Sequence, residues 1–332
     1  MRRLLYFLLV VLLTNTCILG ASVYDNSFPG IDRSKSVGSI PISSDMTPSG
    51  AKTYSVPIDV YPGINGMQPS LAISYNSQQG NSSLGYGWGI SGLSSISRIT
   101  KNTYFDIIPA GVQMNKDDAF ALDGVRLVKL REESTYNLYE TEVGNIKVRG
   151  YFSGNIMSYF EAFYPDGNYG FFGWQNNTQN RLSYPQTSMS DLYDNTISYS
   201  YIFLNEHYEI STITYNGFTI VFDYVARKDQ PKAYVSGLQV NHSRLLRQIT
   251  CFFSGSEVEK YIFTYELENC RSLLTQIDYQ AGNSAYNPLR FSYGNGQPLS
   301  LQATQIPIPG NSNSHGFNAA SEILYDAWQN QH

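Results

Sequence analysis

A glycine-rich stretch in the first third of the chain has the spacing of a dinucleotide-binding loop. Residues 87–92 read Gly-Trp-Gly-Ile-Ser-Gly, the alternating stretch Ser70–Tyr75 before them predicts a strand, and Asp106 follows as a possible ribose-binding acid. In that chemistry the third glycine opens a helix whose N-terminal N–H groups bind pyrophosphate. Residues 93–100 are instead serine-rich and alternating, and the chain has no βαβ pattern. We therefore do not predict a nucleotide site.

The same glycines have a structural interpretation that fits their surroundings better. The residues concerned are Gly85, Tyr86, Gly87, Trp88, Gly89 and Gly92. Alternating small and large residues put rings on one face of a strand and leave the other face bare enough for a second backbone to approach. We predict a close crossing or a sharp bend of β-strands at this point.

Residues that could bind metals or act as nucleophiles have no recognised spacing. The histidines are His207, His242, His315 and His332. None forms a spaced pair with another His, Cys or acid, and we expect them on the surface or in loops. Two interpretations are possible for Asp117-Asp118 and the Asp-Gly and Asn-Gly turns: calcium coordination or ordinary turn formation. The EF-hand pattern of a calcium loop is absent. No Gly-x-Ser-x-Gly sequence is present, so no catalytic residue, cofactor or metal is predicted.

The composition favours one fold class and argues against one class of partner. The 332 residues include 27 Tyr, 17 Phe and 27 Gly, and only 15% are charged. Tyr and Phe suit a half-buried pleated surface, and Gly, Asn, Ser and Pro supply tight turns, so we predict an all-β fold. The formal charge is −5 and the chain has no Lys/Arg-rich run. A nucleic-acid partner is not predicted, because such binding depends on phosphate neutralisation.

The first residues have the pattern of a secretory signal peptide. A basic start precedes the apolar run Leu4–Leu13, and we predict cleavage after Gly20 or Ala21. Removal of residues 1–21 leaves 20 basic and 27 acidic residues, a net charge of −7. The alternative is a lipoprotein anchored through Cys17. No later stretch approaches the ~20 apolar residues of a membrane helix.

The mature chain divides by composition into three parts. Residues 22–50 are rich in Ser, Gly and Pro and predict an extended N-terminal arm, residues 51–300 predict a β domain, and residues 301–332 predict a polar linker or tail. Cys251 and Cys270 are the cysteines that remain after cleavage. One disulfide and two buried free thiols are both compatible with the sequence.

Local patterns predict antiparallel hairpins in the β domain. Apolar alternation flanks Asp123-Gly124, the strongest short hairpin signal, and residues 160–172 repeat the design around Pro165-Asp166-Gly167. A weak repeat, apolar-x-x-Ile-x-(Tyr or Cys), occurs at Ile210–Tyr215, Leu246–Cys251 and Leu274–Tyr279. The second strands are predicted at Phe218–Tyr224, Tyr261–Leu267 and Leu289–Tyr293. We predict hairpins and meanders that form a large curved sheet or a sandwich.

Several segments together resemble one protein family. They are YSVPIDV (54–60), PGINGMQPSL (62–71), ISYNS (73–77), LGYGWGISGLSSISR (84–98), DAFALDG (118–124) and DNTISYSY (194–201). This combination resembles the N-terminal domain of the Salmonella plasmid virulence protein B (SpvB) family. The same domain begins the B component of insecticidal Tc toxin complexes and many secreted Rhs/YD-repeat proteins. The resemblance covers roughly residues 36–295.

The resemblance implies a scaffold without chemistry of its own. In the toxin B components, this domain precedes a β-propeller and Rhs repeats, and the assembly is a hollow shell around a cytotoxic effector. The implied partners are proteins of the toxin-complex or Rhs type, and the C-terminal hairpins are expected to be YD/Rhs-like. Because the sequence stops before any propeller or Rhs array, we expect a stand-alone or truncated first module.

The resemblance also raises an enzymatic possibility. In the Salmonella protein a separate C-terminal domain is an ADP-ribosyltransferase with a Glu-x-Glu active site, and Glu257-Val258-Glu259 and Glu140-Thr141-Glu142 have that spacing. We expect the first pair to be solvated beside the turn at residues 254–256, and the second to share one strand face. Neither has the transferase's upstream Arg or Ser-Thr-Ser strand, so no enzyme activity is predicted.

Two functional hypotheses follow from these observations. The first is a secreted, non-enzymatic β-scaffold that contributes to a delivery or encapsulating shell. The alternative is an exported surface module that binds a glycan or a protein through exposed aromatic residues, with Trp88, Trp174, Trp328 and many tyrosines as candidates. Aromatic residues in a sheet more often serve packing, which favours the first hypothesis.

Overall fold

The computed structural model describes residues 31–294, except residues 205 and 269. The chain divides into a short unit, Met1–Lys35, and a large unit, Ser36–His332. In the described part of the short unit, the carboxylate of Asp32 accepts hydrogen bonds from the amide and the hydroxyl of Ser34. The predicted signal peptide and tail, Cys17, His315, Trp328 and His332 lie outside the described residues.

The large unit begins with a four-stranded antiparallel sheet. The first elements are β1 (Ser43–Met46), β2 (Lys52–Pro57), a 3₁₀ helix (Ile64–Gly66), β3 (Ala72–Asn76), β4 (Asn81–Ser82), β5 (Gly85–Tyr86) and β6 (Trp88–Ser91). The sheet has the order β1-β2-β3-β6, and β4 pairs separately with β5. Part of the predicted arm therefore pairs with β2 as β1. The predicted domain boundaries themselves stay predictions.

The next eight strands close into a barrel. They are β7 (Ser95–Ile99), β8 (Ala119–Leu122), β9 (Val125–Glu132), β10 (Tyr136–Thr141), β11 (Lys147–Ser153), β12 (Ile156–Phe163), β13 (Tyr169–Gly173) and β14 (Ser183–Ser190), with helix α1 (Thr103–Asp106) between β7 and β8. Each pairs with its neighbour in sequence, and β14 pairs with both β13 and β7 to close the ring. A buried aromatic cluster that includes Phe120, Phe160, Phe172 and Tyr184 packs between these strands.

An open antiparallel sheet continues from the barrel at β14. Its strands are β15 (Thr196–Leu204), β16 (His207–Tyr215), β17 (Phe218–Ala226), β20 (Arg244–Phe253), β21 (Ser256–Glu268), β22 (Arg271–Ala281), β23 (Ser284–Ala285) and β24 (Leu289–Arg290). They pair in this order as far as β22, whose outer side carries β23 and β24. A separate hairpin, β18 (Lys232–Val235) with β19 (Leu238–Asn241), lies in the connection from β17 to β20.

The open sheet packs against the four-stranded sheet as a sandwich. One buried cluster joins Ile73 and Trp88 of the four-stranded sheet with Ile213, Leu246 and Leu274 of the open sheet. The predictions of an all-β fold and of antiparallel hairpins forming a sheet or sandwich are confirmed. The closed barrel was not predicted.

The three predicted repeat segments lie in β16, β20 and β22, and each has a β-bulge at its second residue. The extra residues are Ser211, Arg247 and Thr275. Strict alternation would put the first apolar residue and the isoleucine three positions later on opposite faces. The bulge adds one residue to the strand, so Ile210 and Ile213 both reach the buried face.

A tyrosine from the segment after each repeat hydrogen-bonds to the strand at the bulge. Tyr224, Tyr265 and Tyr293 donate to the carbonyl oxygens of Ile210, Leu246 and Leu274 at 2.7, 2.6 and 2.7 Å. A bulge disrupts the backbone ladder locally, and each hydroxyl supplies a hydrogen bond there. We call each combination of bulge and tyrosine a bulge–tyrosine unit.

Candidate functional site

The glycine segment, residues 85–92, lies where two other backbones pass very close. Gly85 has φ +88°, and a Cβ on it would lie 2.4 Å from the carbonyl oxygen of Ser272 in β22. Gly92 has φ +94°, and a Cβ there would lie 1.7 Å from the carbonyl oxygen of Ser70. Only glycine fits both the positive φ and the space. The element after Gly92 is strand β7, so no helix N-terminus faces this loop.

The central residues of the segment place a tryptophan against the last bulge–tyrosine unit. A Cβ on Gly87 would lie 2.5 Å from the Tyr75 ring, and one on Gly89 would lie 2.9 Å from the Gln79 amide nitrogen. Trp88 is fully buried, and its Nε1–H donates to the hydroxyl of Tyr293 at 2.8 Å. Since Tyr293 belongs to the unit in β22, the glycine segment covers the end of the open sheet.

Residues just before the glycine segment are held by a buried ion pair. Arg227 donates to the carbonyl oxygen of Ser82 at 2.8 Å and pairs with Asp229 at 2.7 Å, and both charged side chains are almost fully buried. The Asp229 carboxylate accepts hydrogen bonds from the amide and hydroxyl of Ser272. Burial opposes ionisation of Asp229, but the hydrogen bonds from Arg227 and Ser272 outweigh it and lower its pKa to about 2. Asp229 therefore joins the glycine segment to β22.

Asp123 and Gly124 form the two-residue turn between β8 and β9. Their φ angles are 49° and 83°, which are the positive values that a tight type I′ hairpin turn needs. The Asp123 carboxylate accepts hydrogen bonds from the hydroxyl of Ser94 at 2.6 Å and the amide of Ser95 at 2.8 Å. The turn is thereby tied to the start of β7.

The Glu257–Glu259 pair is not solvated as predicted. Glu257 is exposed, but Glu259 lies on the buried face of β21 and is only 3% exposed. One oxygen of Glu259 accepts a hydrogen bond from the Tyr279 hydroxyl at 3.0 Å, and the other has no partner in the described part of the chain. Burial raises the pKa of Glu259 to about 7. The expectation of solvent exposure at a turn failed because Glu259 continues the inward alternation of Tyr261 and Phe263, whereas a β-bulge at Val258 leaves Glu257 on the outside.

The second Glu-x-Glu sequence also differs from its prediction. Glu140 is half-buried in β10, whereas Glu142 lies one residue beyond the end of that strand and is exposed. The amide of Glu142 donates to the carbonyl oxygen of Arg126. The two carboxylates therefore do not share one face of a regular strand.

Cys251 and Cys270, the cysteines that the structure describes, form no disulfide, and only Cys251 is buried. Cys251 lies opposite Glu259, while Cys270 follows the far end of β21 and is exposed. Glu259, the partner of Cys251, and the end of β21 next to Cys270 are nine residues of extended strand apart, which is roughly 30 Å. Burial, with a smaller effect of Glu259, raises the pKa of the Cys251 thiol to about 12, so it stays protonated.

Two of the histidines lie together, which their sequence spacing did not predict. The rings of His207 and His242 are 4.4 Å apart between centroids, and Nε2 of His207 is 3.2 Å from a carboxylate oxygen of Glu209. Burial, followed by the nearby charges of His207 and Arg227, lowers the pKa of His242 to about 4. Among residues 31–294, no group of three His, Cys, Asp or Glu side chains could hold a metal ion.

An aromatic pocket of about 310 Å³ lies between the loop that joins β13 to β14 and the strands β15 and β16. We call it the Trp174 pocket; its aromatic residues are Trp174, Tyr201, Phe203 and Tyr208. Arg181 also lines it and lies over the Phe203 ring, 4.3 Å from the ring centroid. Burial raises the pKa of Tyr208 to about 12, so its hydroxyl is protonated at neutral pH. The pocket combines ring surfaces with one guanidinium group.

The loop of the Trp174 pocket is anchored by a buried arginine. Arg98 donates to the carbonyl oxygen of Arg181 at 2.7 Å and to the side-chain oxygen of Asn180 at 2.7 Å. Its guanidinium also pairs with buried Asp118 at 2.6 Å. Asp118, considered as a calcium ligand in the sequence, is therefore engaged by Arg98. The sequence indicated Trp174 as a candidate aromatic residue of a binding surface. It did not indicate Arg181, because no local sequence signal links Arg181 to the pocket.

The fold and these sites define a large β domain in which a glycine segment covers the last unit of an open sheet. The model of the SpvB family, described as "Salmonella virulence plasmid 65kDa B protein", matches residues 46–163. This range contains the glycine segment and most of the barrel. Residues 46–163 are therefore similar to the SpvB family, and the resemblance seen in the motifs is confirmed. A search of curated proteins gave no match.

Solved structures share the fold well beyond the matched range. The crystal structure of TcdB2-TccC3 aligns with a TM-score of 0.66 and 17% identity, over 81% of this chain and 18% of that one. The Photorhabdus luminescens Tc holotoxin pore aligns with a TM-score of 0.64 and 18% identity, over 80% of this chain and 16% of that one. The N-terminal domain of the effector SpvB from Salmonella typhimurium strain LT2 aligns with a TM-score of 0.56 and 17% identity, over 68% of this chain and 99% of that one. This chain thus spans under a fifth of the two toxin chains.

Proposed function

We propose that the chain is a non-enzymatic scaffold module of a toxin-complex type of assembly, contributing to a delivery or encapsulating shell. The observation that carries the proposal is the series of three bulge–tyrosine units in the open sheet. Units that pack mainly on their neighbours can be added along a sheet without changing its core, which suits a shell wall. The outer strands β23 and β24 are two residues long each, so the outer side of β22 is where further structure would be added.

Export and partners form the second part of this proposal. The basic and apolar pattern of residues 1–21 supports secretion through a signal peptide, with a lipid anchor on Cys17 as the alternative. The fold shared with Tc toxin structures supports protein partners of the toxin-complex or Rhs type. Among the described residues, the structure contains no helix with the length and hydrophobicity of a membrane span.

The scaffold proposal is tested on the full chain in its native source. A tagged chain should elute from native extract or culture medium in an assembly larger than its own 37.3 kDa, with a stoichiometric partner cross-linked near β22–β24. Arg290→Glu, in β24, should weaken the assembly, whereas Arg131→Glu, exposed in β9, should not. A monomer without partners in native extract contradicts the proposal. NAD hydrolysis by the purified protein that Glu259→Gln abolishes would show an enzyme instead.

A second candidate function is supported by the Trp174 pocket. A pocket that combines aromatic rings with polar side chains can bind and orient a small ligand, and ~300 Å³ is the lower end of the usual volume range. The pocket lies at the start of the open sheet, far along the sheet from β22. Ligand binding and scaffold assembly would therefore use different surfaces.

A further inference from the structure

We propose that the Trp174 pocket binds a carboxylated sugar residue of a glycan, such as a uronic or sialic acid. The inference rests on the second proposed function, ligand binding, and is independent of the scaffold role. Three properties of the pocket support it: an aromatic wall, buried polar atoms without partners, and a cation without a carboxylate partner.

The aromatic wall offers flat apolar surface to a ring-shaped ligand. The Tyr208 ring lies 5.2 Å from Trp174 and 4.8 Å from Phe203 between centroids, so three rings form one continuous group. Phe203 is 37% exposed, and Trp174 is half-buried. The apolar C–H face of a pyranose can lie on such rings while its hydroxyls point away. Asn176, which also lines the pocket, supplies an amide group for those hydroxyls.

Two buried polar atoms of the residues that line the pocket have no hydrogen-bond partner within the described part of the chain. They are Nε of Arg181 and the hydroxyl oxygen of Tyr201. Buried polar groups are normally paired, so an unpaired donor in a concave site indicates an absent acceptor. Burial raises the pKa of Tyr201, which keeps its hydroxyl protonated and able to donate.

The charge of the pocket selects an anionic ligand. Arg181 is the charged residue of the lining, none of the lining residues is acidic, and no ion pair to Arg181 occurs among the described residues. A planar guanidinium matches a carboxylate with two parallel hydrogen bonds. The same positive charge would repel an ammonium ligand, which an aromatic cage could otherwise hold.

The pocket is held in place before a ligand arrives. Arg98 fixes the backbone of Arg181 and the side chain of Asn180 from the barrel side. The Arg181 amide also donates to the hydroxyl of buried Tyr184 at 3.3 Å. A site whose loop is anchored in this way loses little conformational entropy on binding.

The test is isothermal titration of the full chain with two matched pairs of probes. Methyl glucuronide is compared with methyl glucoside, and sialyllactose with lactose, so that each pair differs by a carboxylated group. We expect the acidic member of at least one pair to bind at least about ten-fold more tightly, as a charge-assisted hydrogen bond implies. Equal affinities within both pairs would overturn the carboxylate assignment, and absence of binding by all four probes would overturn the site.

Variants locate the binding on the pocket residues. Arg181→Gln should remove the preference for the acidic probe, Arg181→Lys should keep part of it, and Trp174→Ala should abolish binding. The matched control is Tyr234→Ala, an exposed tyrosine in β18 away from the pocket. Circular dichroism checks folding, and Trp174→Phe, which keeps a ring, replaces Trp174→Ala if that variant unfolds. Loss of binding in Tyr234→Ala but not in the Trp174 variants would overturn the location. The assembly test above is unaffected by either result.

Discussion

The barrel and the open sheet solve the problem of unpaired strand edges in different ways. In the barrel, β14 pairs with both β13 and β7, so the ring of eight strands has no free edge. In the open sheet, the outer side of β22 has two short partner strands within residues 31–294, and the glycine segment lies against its backbone at Ser272. A closed sheet protects its own edges, whereas an open one must be covered by another part of the chain.

Two buried carboxylates, Asp118 of the barrel and Glu259 of the open sheet, have different partners. In the barrel, the buried guanidinium of Arg98 meets the buried carboxylate of Asp118 at 2.6 Å. In the open sheet, Glu259 is equally buried but has a tyrosine hydroxyl as its only partner among the described residues. Removing Arg98 should therefore leave the buried carboxylate of Asp118 without a countercharge. The protonation of Glu259 should instead make the free energy of unfolding depend on pH.

The largest expected effect comes from the cover of the open sheet, through Gly85→Ala. A Cβ at this position would lie 2.4 Å from the carbonyl oxygen of Ser272, and backbone cannot move aside as a flexible side chain can. We expect a loss of roughly 5 kcal/mol or failure to fold, since overpacking adds to the strain of a positive φ. Thermal and chemical unfolding measure the change.

The matched control for Gly85→Ala is Gly124→Ala in the barrel. Gly124 has φ +83°, close to the +88° of Gly85, but nothing lies within 4 Å of the position its Cβ would take. The control therefore carries the conformational strain alone, about 1 kcal/mol. Equal losses in the two variants would show that Gly85 is needed only for its φ angle, and that the cover of β22 adds no packing constraint.

Within the barrel, Arg98→Met should cost about 3–4 kcal/mol, because it leaves the buried Asp118 carboxylate without a countercharge. Chemical denaturation measures the loss, and the double variant Arg98→Met/Asp118→Asn should recover part of it. Arg131→Met is the control: its pair with Glu133 is exposed, and we expect a change below about 1 kcal/mol. A double variant no more stable than the single one would show that the charge pair is not what Arg98 contributes.

The fold class was predictable because its signals are local. Alternation, the Asp123-Gly124 turn and the repeated frames each involve neighbouring residues, and the hairpins formed where these signals occur. The barrel closure was not predictable in this way, because it depends on the pairing of Ser97 in β7 with Ser183 in β14, which are far apart in sequence. The bulges did leave a signal: an apolar residue three positions before a buried isoleucine does not fit an unbroken strand.

Candidate site residues were predictable only where backbone geometry decides their role. The spacing of Gly85 and Gly92 indicated close backbone approach, and their surroundings have that form. Burial of Glu259 was missed, because a position near a turn suggested solvent and the covering residues come from distant segments. The contact of His207 with His242 and the position of Arg181 in the Trp174 pocket also depend on strands that pair only in the folded chain.

In the open sheet, Glu259 should make stability depend on pH. Its pKa rises from 4.5 to about 7 on folding, so the folded state holds a proton that the unfolded state releases. The stabilisation is complete below pH 4.5 and is lost as pH rises to about 7, with a total of about 3 kcal/mol. The measurement is the free energy of unfolding of wild type minus that of Glu259→Gln at each pH.

Subtracting the free energy of unfolding of Glu259→Gln from that of wild type isolates the contribution of Glu259 from groups whose contribution to stability has the opposite pH dependence. His242 has a pKa lowered to about 4, so its contribution is lost as pH falls below 6.5, and it cancels in the subtraction. A difference that stays constant between pH 4.5 and 7 would show that Glu259 is ionised in the folded protein and that the contrast with the paired charges of the barrel is wrong.

The smallest effects should come from the tyrosine hydroxyls of the open sheet, and they test whether the bulge–tyrosine units are equivalent. Tyr224→Phe and Tyr265→Phe each remove one hydrogen bond to a bulge carbonyl and should cost about 1 kcal/mol in chemical denaturation. Tyr293→Phe should cost more, because Nε1 of buried Trp88 also loses its acceptor. Tyr201→Phe is the control, since its hydroxyl has no hydrogen-bond partner among the described residues, and it should change stability little. If Tyr293→Phe costs no more than the other two, the glycine segment does not stabilise the last unit through Trp88. The edge of the open sheet would then not need this segment for its stability, unlike the barrel, whose edges are protected by pairing between β7 and β14.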